Sequence, residues 1–290
     1  GHGHIPDRVK LTQPGDLAIK CMACPCPGVT LPEGWKSEPQ NEQWVYFRYI
    51  YCPIFALDTN FHMSNIKKST EENDPGLHTG LAYFIDHDKY IQHVCKYASQ
   101  KDISTCSSFQ TLQHSKTRNT HGLRTMGVEM CVCTCHEHVV PLTVGDLQVS
   151  EIYCNMNYMA GSAIKSFDDA LQIFFLYNVA CQWKVKLCNQ MMKLPSHAHI
   201  SDDMALDFGI PKLHCKGHKQ ACQCQYSMNL HQGLGCTCGE GIKHTWDNMN
   251  PCAASMKEMG LGTHHNTIDN QFGGHNWRKQ TCLGEQSDCM

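Results

Sequence analysis

Residues 171–183 read LQIFFLYNVACQW, an apolar run that ends at Asn178 and continues into a predicted helix. The run predicts a buried central strand of an α/β protein, because strands covered on both faces are apolar almost throughout. The residue at the carboxyl end of such a strand faces the active-site crevice. A catalytic strand is expected to carry a carboxylate there, whereas this strand carries the amide of Asn178. The sequence thus combines the layout of an active site with a side chain that does not suit one.

Composition and charge give no sign of a secreted or membrane protein. The chain has 290 residues, a formal net charge of −3 and a pI of about 6.7, so no overall positive field favours a nucleic acid or a membrane surface. The amino terminus lacks the apolar core of a signal peptide, and no apolar run is long enough to cross a bilayer. We therefore expect a protein that is not secreted and has no membrane partner. Because the first residue is Gly1 rather than Met, we also expect the chain to be part of something longer.

Cysteine and arginine are unusually distributed. The 20 cysteines have no repeating spacing, and in a long chain without a secretion signal they favour a reducing compartment over a disulfide scaffold. Only five of the 24 basic residues are arginine, against 19 histidines. Arginine codons beginning with CG become Cys or His codons through a single C-to-T or G-to-A transition. The excess of Cys and His therefore has a mutational explanation as well as a chemical one.

The amino-terminal segment contains three cysteines among prolines and glycines. Residues 21–35 read CMACPCPGVTLPEGW and include Cys21, Cys24 and Cys26. The prolines exclude a helix, and the spacing is compatible either with half of a zinc knuckle or with unliganded loop cysteines. We favour the unliganded alternative for this chain. Composition then changes, so we place a domain boundary after residue 36, with residues 37–290 forming the second domain.

Two acidic residues lie where chemistry could be expected. Asp58 falls inside the apolar run 53–63, PIFALDTNFHM, and a buried carboxylate is costly unless it binds something such as a metal ion. A turn or capping aspartate is the alternative. Glu240 lies in the glycine-rich stretch 233–241, at the predicted start of a helix that continues through Trp246. Residues 80–85, GLAYFI, are predicted to form a further strand.

Two clusters of Cys and His predict a metal site. Cys133 and His136 belong to the stretch CVCTCHEH, and the second cluster contains His214, His218 and Cys222. The step of four residues from His214 to His218 would place both rings on one face of a helix, with Cys222 one turn further. The two halves could close one tetrahedral zinc site. The alternative is chance, since a chain so rich in Cys and His produces such clusters without selection.

The order of short motifs along the chain resembles the Kyakuja-Dileera-Zisupton (KDZ) transposases, a family abundant in mushroom-forming fungi. The motifs are CPCPGVTLPEGW, ALDTNF, DPGL, VGDLQ, ACQW, PKLH, CGEGI, KEMG and TIDNQFG. The resemblance implies that residues 1–36 are the tail of the family's cysteine-cluster domain and that residues 37–290 are an RNase H-like transposase core, here incomplete, with a Cys/His-containing insertion. It also implies a nuclear protein, if it is expressed, whose partner is the DNA of transposon ends.

The resemblance further implies two divalent ions, Mg²⁺ or Mn²⁺, held by acidic residues about 4 Å apart. Carried over by position, the three acids fall on Asp58, Asn178 and Glu240. The second is an amide where the family pattern is Tyr-Asp-Ile-Ala-Cys-Gln-Trp. An amide neither bridges two cations well nor cancels their charge, so we expect a catalytically inactive protein.

Other departures from the family pattern have the same form. Family arginines are replaced at positions that include Cys135, His244, His264 and His265, and a glutamate is replaced by Lys243. The pattern is typical of an element decayed by C-to-T mutation, as genome-defence mutagenesis in fungi produces. Cys135 is then a former arginine, whereas Cys133, His136, His214, His218 and Cys222 match the family pattern and remain candidates for a structural zinc site. The alternatives are a domesticated DNA- or chromatin-binding protein and a zinc-binding protein, both without catalysis.

Overall fold

The computed structural model describes residues 11–37, 49–77, 79–97, 122–148, 152–195, 204–234 and 237–283. The strands are β1 (Ile54–Asn60), β2 (Asn65–Ile66), β3 (Leu123–Thr125), β4 (Gly127–Cys133), β5 (Val139–Leu147), β6 (Gln172–Tyr177) and β7 (Ala205–Gly209). The α-helices are α1 (His87–Tyr97), α2 (Tyr153–Ser166), α3 (Ala180–Met191), α4 (Lys212–Cys215), α5 (Gln220–Tyr226), α6 (Gly241–Met249), α7 (Ala253–Met256) and α8 (Leu261–Thr281). Short 3₁₀ helices are formed by Trp35–Ser37, Phe61–Met63 and Asn250–Cys252.

Five strands form one mixed sheet in the order β5-β4-β1-β6-β7. Strands β5, β4 and β1 pair antiparallel, whereas β6 and β7 run parallel to β1. The remaining strands, β2 and β3, form a separate two-stranded ribbon. The α/β class predicted from the sequence is confirmed, and β1 occupies the centre of the sheet.

The stretch 171–183 folds as its sequence predicts. Strand β6 ends at Tyr177, and α3 begins three residues later. The indole ring of Trp183 in α3 is fully buried and packs edge-on against the rings of Phe175 and Tyr177. This aromatic contact fixes the angle at which α3 folds back onto the sheet.

Alternate residues of each central strand face opposite layers of the core. In β1, Phe55 and Leu57 contact the layer built from α1, α2 and α3, whereas Ile54 and Ala56 contact the layer built from α6, α7 and α8. The period of two therefore directs Asp58 toward the second layer, in which Trp246 of α6 is buried. Residues 58 and 178 share this face, because Leu57 pairs with Tyr177 in the parallel ladder.

Three parts of the fold differ from the expectation. The predicted strand 80–85 is instead an irregular segment beside β5, held by the Ile85 N–H to Val144 O and the Val144 N–H to Tyr83 O bonds. The hairpin of β4 and β5 and the 21-residue helix α8 were not predicted. Polar residues occupy several buried positions of α8, so its sequence does not show the apolar period of a helix.

The imidazole of His93 in α1 generates a pH dependence of stability. It is 8% exposed and lies between the rings of Tyr97 and Tyr158. Burial, with a smaller contribution from Lys96, lowers the pKa of His93 to about 4. Because this folded-state pKa lies below that of the unfolded chain, the stabilisation is complete above pH ~6.5 and is lost as the pH falls toward 4.

We therefore expect the chain to lose about 2 kcal/mol of unfolding free energy through His93 between pH 8 and pH 5. The variant His93→Phe keeps a ring between the two tyrosines but cannot be protonated. Urea unfolding at both pH values should show a correspondingly smaller loss for the variant. Equal losses in the two proteins would show that His93 is not the group responsible.

Candidate functional site

Asp58 and Asn178 lie side by side at the centre of the sheet. Their strands run parallel, and Leu57 is directly opposite Tyr177, so the next residue of each strand reaches the same point. The side-chain amide of Asn178 donates a hydrogen bond from Nδ2 to Asp58 Oδ1 at 3.2 Å. Two of the three positions proposed from the sequence are therefore in direct contact.

Helix α6 covers the other oxygen of Asp58. Lys243 Nζ lies 2.6 Å from Asp58 Oδ2, and the indole N–H of Trp246 donates to the same oxygen at 3.0 Å. Asp58 itself is 3% exposed. Both carboxylate oxygens are thus occupied by donors, and the ammonium group of Lys243 supplies the positive charge that a buried carboxylate requires.

Glu240, the third position, immediately precedes α6 and is 5% exposed. Its Oε1 accepts the backbone N–H of Leu213 at 3.0 Å and lies 3.6 Å from His214 Nδ1. Burial raises the pKa of Glu240, but the neighbouring imidazole of His214 and the hydrogen bond from the Leu213 N–H outweigh it and leave the pKa below its ordinary value. The carboxylate is therefore ionised at neutral pH, and His214 is its neighbour.

The three positions do not fit a pair of divalent ions. Asp58 presents oxygens already bonded to an ammonium, an indole and an amide N–H. Asn178 turns its donor nitrogen, which cannot bind a cation, toward that carboxylate. A Mg²⁺ or Mn²⁺ ion would have to displace the cation of Lys243 and gain fewer charged oxygens than a site of this kind provides.

The five zinc candidates do not form one site. Cys133 and His136 are grouped with Cys21 and Cys24, whereas His218 and Cys222 are grouped with Cys181. The predicted continuous helix from His214 to Cys222 is also wrong, because α4 ends at Cys215 and α5 begins at Gln220.

His214 and His218 consequently contact different positions of the candidate site, Glu240 and Asn178. His214 approaches Glu240, and His218 Nε2 lies 2.8 Å from the backbone oxygen of Asn178. His218 Nδ1 lies 3.6 Å from Cys181 Sγ. The segment that carries them therefore braces both Glu240 and the end of β6.

Cys21 and Cys24 were left without a role by the sequence, although their Cys-x-x-Cys spacing was the available signal. Cys24 Sγ lies 2.9 Å from Cys133 Sγ, across 109 residues of chain. Hydrogen bonds from Cys133 and Cys24 hold the pKa of Cys21 well below its ordinary value. The contacts with Cys133 and Cys21, together with burial, raise the pKa of Cys24, and the contact with Cys21 and burial raise the pKa of Cys133. The three thiols therefore form one interacting group.

A third group consists of His87, Asp146 and His265. His265 Nε2 lies 2.6 Å from Asp146 Oδ2, and His264 Nε2 lies 3.9 Å from Asp146 Oδ1. Burial raises the pKa of Asp146, but the charge and hydrogen bond of His265 outweigh it, so the pKa is lowered. His265 is thus the hydrogen-bonded neighbour of this buried carboxylate, and His264 lies further away.

The chain is thus an α/β protein with a mixed five-stranded sheet, flanking helices and an acidic residue, Asp58, on the central strand. Residues 51–276 match the family model of the Kyakuja-Dileera-Zisupton transposases. Since the match covers well over half of the 290 residues, the chain belongs to that family. No curated protein and no solved structure matches the chain. Within the described part of the chain, no helix is both long enough and apolar enough to cross a membrane.

The ion pair between Lys243 and Asp58 is expected to stabilise the fold. The variant Lys243→Met keeps the length of the side chain but leaves the charge of Asp58 opposed only by neutral donors. We expect a loss of about 1–2 kcal/mol, less than for a fully buried pair because the Lys243 side chain is 39% exposed. Urea unfolding measures this loss, with the exposed Lys219→Met as the matched control.

A double-mutant cycle separates the ion pair from the packing of the lysine stem. In an Asp58→Asn background the charge is absent, so Lys243→Met should cost much less than in the parent chain. The same cost in both backgrounds would contradict the ion-pair account.

Proposed function

We propose that this chain is a transposase-derived protein that no longer performs phosphodiester chemistry. The observation that carries the proposal is the ion pair of Lys243 with Asp58, formed on the oxygen that a catalytic metal would need. The protein keeps the family's scaffold, whose partner is DNA and whose place of action is the nucleus. Its intact relatives are expected to cut and join DNA with two divalent ions.

The sheet topology supports an RNase H-like assignment for residues 37–290. The first and fourth strands of the mixed sheet, β1 and β6, are parallel neighbours at its centre. Their adjacent positions 58 and 178 can therefore serve one ion, and α6 brings position 240 to the same face. This arrangement is what a two-metal site requires of its scaffold before the identity of the side chains is considered.

The side chains now present lack the charge that the chemistry needs. Two divalent ions carry four positive charges, which three carboxylates largely balance. Here the second position is the amide Asn178, and the carboxylate of Asp58 is neutralised by Lys243. Each 1.36 kcal/mol of lost transition-state stabilisation lowers the rate tenfold. Loss of the charged ligand at position 178, together with the ion pair on Asp58, therefore lowers the rate of cleavage by several orders of magnitude.

The replaced residues elsewhere retain structural contacts, which supports decay of the chemistry on a persisting scaffold. Asn157, which the resemblance to the family places at an aspartate position, accepts the indole N–H of Trp183 at 2.7 Å and donates to Gln190 at 2.8 Å. His265, at a family arginine position, bonds to Asp146. The new side chains keep hydrogen bonds in the core, so the fold tolerates changes that the active site does not.

A second candidate is a zinc-binding protein without catalysis, favoured by the two thiol-containing groups around Cys133 and Cys181. It is compatible with the first proposal, since a zinc-stabilised scaffold could persist after the chemistry is lost. Both candidates lack catalysis, so an assay of DNA cleavage tests the loss of chemistry that they share, and measurement of bound zinc tests the second candidate.

The test is nicking of supercoiled plasmid DNA by the full chain with Mg²⁺ or Mn²⁺. We expect the parent chain and Asp58→Ala to be equally inactive, while circular dichroism shows both to be folded. The variant Asn178→Asp should also be inactive, because Lys243 still occupies Asp58 Oδ2. Metal-dependent nicking by the parent that Asp58→Ala abolishes would refute the proposal.

A further inference from the structure

Four metal-ligand side chains converge where the amino-terminal segment meets the β4-β5 hairpin. Cys21, Cys24, Cys133 and His136 place one ligand atom each within 4.8 Å of all the others. Cys133 Sγ lies 3.3 Å from His136 Nδ1, and Cys24 Sγ lies 2.9 Å from Cys133 Sγ and 3.9 Å from His136 Nδ1. With usual zinc bond lengths, tetrahedral S and N ligands lie about 3.5–3.8 Å apart, so small shifts of these side chains would accommodate a zinc ion.

The hairpin holds two of the ligands in a fixed relation. Strand β4 ends at Cys133, and the turn that follows is closed by the Glu137 N–H to Cys133 O bond at 2.7 Å and the Cys133 N–H to His138 O bond at 2.8 Å. Glu137 adopts a positive φ of 57°, which reverses the chain. Cys133 and His136 therefore face the same side of one tight turn.

A second structured loop supplies the other two ligands. The Thr30 hydroxyl donates to Cys24 O at 2.8 Å and accepts the Cys26 N–H at 2.7 Å, while Cys26 O accepts three backbone N–H groups of residues 29–31. Cys24 is 2% exposed and belongs to the same buried cluster as the central sheet. The loop is thus folded and docked, as a preformed half of a metal site should be.

We propose that Cys21, Cys24, Cys133 and His136 bind a structural zinc ion. Three thiolates and one imidazole are the ligand set that zinc prefers, whereas Mg²⁺ and Ca²⁺ prefer oxygen. Four protein ligands leave no open position, so the ion is structural rather than catalytic. The proposal does not depend on the state of the acidic site at Asp58.

This zinc ion would join a segment inside the family match to a segment that precedes it. Cys133 and His136 lie within the residues that match the family model, 51–276, whereas Cys21 and Cys24 precede them. The ion would cross-link positions more than one hundred residues apart, which restricts the unfolded chain and stabilises the docked segment.

Two cysteines close to the group in sequence, Cys26 and Cys135, are not part of it. Cys135 lies between two of the ligands in sequence but is exposed, and Cys26 is two residues from Cys24; neither belongs to the group. Cys135 is also a position where the family has arginine. The two residues provide matched controls that change one thiol in each half of the site without removing a ligand.

The Cys181, His218 and Cys222 group is the weaker candidate for the same metal. It offers only three ligands, one fewer than a closed tetrahedral site needs. Any zinc bound there must be distinguished from zinc at the four-ligand group, which variants of the latter accomplish.

The experiment measures zinc by mass spectrometry in the full chain, purified under reducing conditions. We expect Cys21→Ser and Cys24→Ser each to lose about one zinc ion per chain relative to the parent, while Cys26→Ser and Cys135→Ser retain the parent content. His136→Cys, which preserves a four-ligand site, should also retain it. A strong chelator should lower the melting temperature of the parent and of Cys135→Ser by about 5 °C, and that of Cys21→Ser much less.

A cobalt titration of the metal-free parent keeps the proposal testable if Cys24→Ser does not fold. Co²⁺ should produce thiolate-to-cobalt charge-transfer bands and tetrahedral ligand-field bands. Both should be weaker in Cys21→Ser, which changes a half-buried residue. Zinc that persists unchanged in Cys21→Ser would overturn the proposal and assign the ion to the Cys181 group. No zinc and no cobalt bands in the parent, or a Cys24–Cys133 disulfide under reducing conditions, would overturn it as well.

Discussion

A carboxylate buried between a sheet and a helix must be given a positive partner, and in this protein that requirement is met at Asp58. The partner is Lys243, and the indole of Trp246 donates to the same oxygen. Both come from α6, so the helix is held on the central strand by an ion pair and a hydrogen bond as well as by apolar contact. Because Glu240 immediately precedes this helix, the same docking sets the position of the third candidate site residue. The geometry of the site therefore depends on how one buried charge is balanced.

Under the proposed function, the same interaction accounts for a site that keeps its fold without its chemistry. A divalent ion and a lysine ammonium both satisfy a buried carboxylate, but only the ion can activate a nucleophile. Substitution by lysine at position 243 supplies the missing charge from within the chain, while the amide of Asn178 fills the remaining oxygen. Around Asp146, His265 supplies the contact that lowers the pKa of the buried carboxylate. In both places a side chain of the second layer lies against an acid of the sheet.

The sequence predicted part of this site and missed part of it for identifiable reasons. The apolar run that ends at Asn178 and the apolar run around Asp58 predicted β6 and β1, because burial on both faces leaves a clear apolar pattern. Helix α8 was missed because histidines and an asparagine, at 264, 265, 275 and 276, occupy its buried face beside Ile268 and Phe272. Counted as buried positions, these residues recur at the helical period, but their polar character conceals it. The sequence shows the pair Cys21 and Cys24 and the pair Cys133 and His136, but it does not show that these two pairs lie together.

The sequence by itself determined the α/β class, the central strand, the family motifs and the identities of the side chains at positions 58, 178 and 240. These are local properties, fixed by apolar pattern and residue type. Only the tertiary structure decided that Lys243 lies against Asp58, that His214 and His218 brace different parts of the site, and that Cys21 and Cys24 meet Cys133 and His136. The reason is that each of these contacts joins residues far apart in the chain, and their distance in space is set by strand order and helix docking rather than by spacing in sequence.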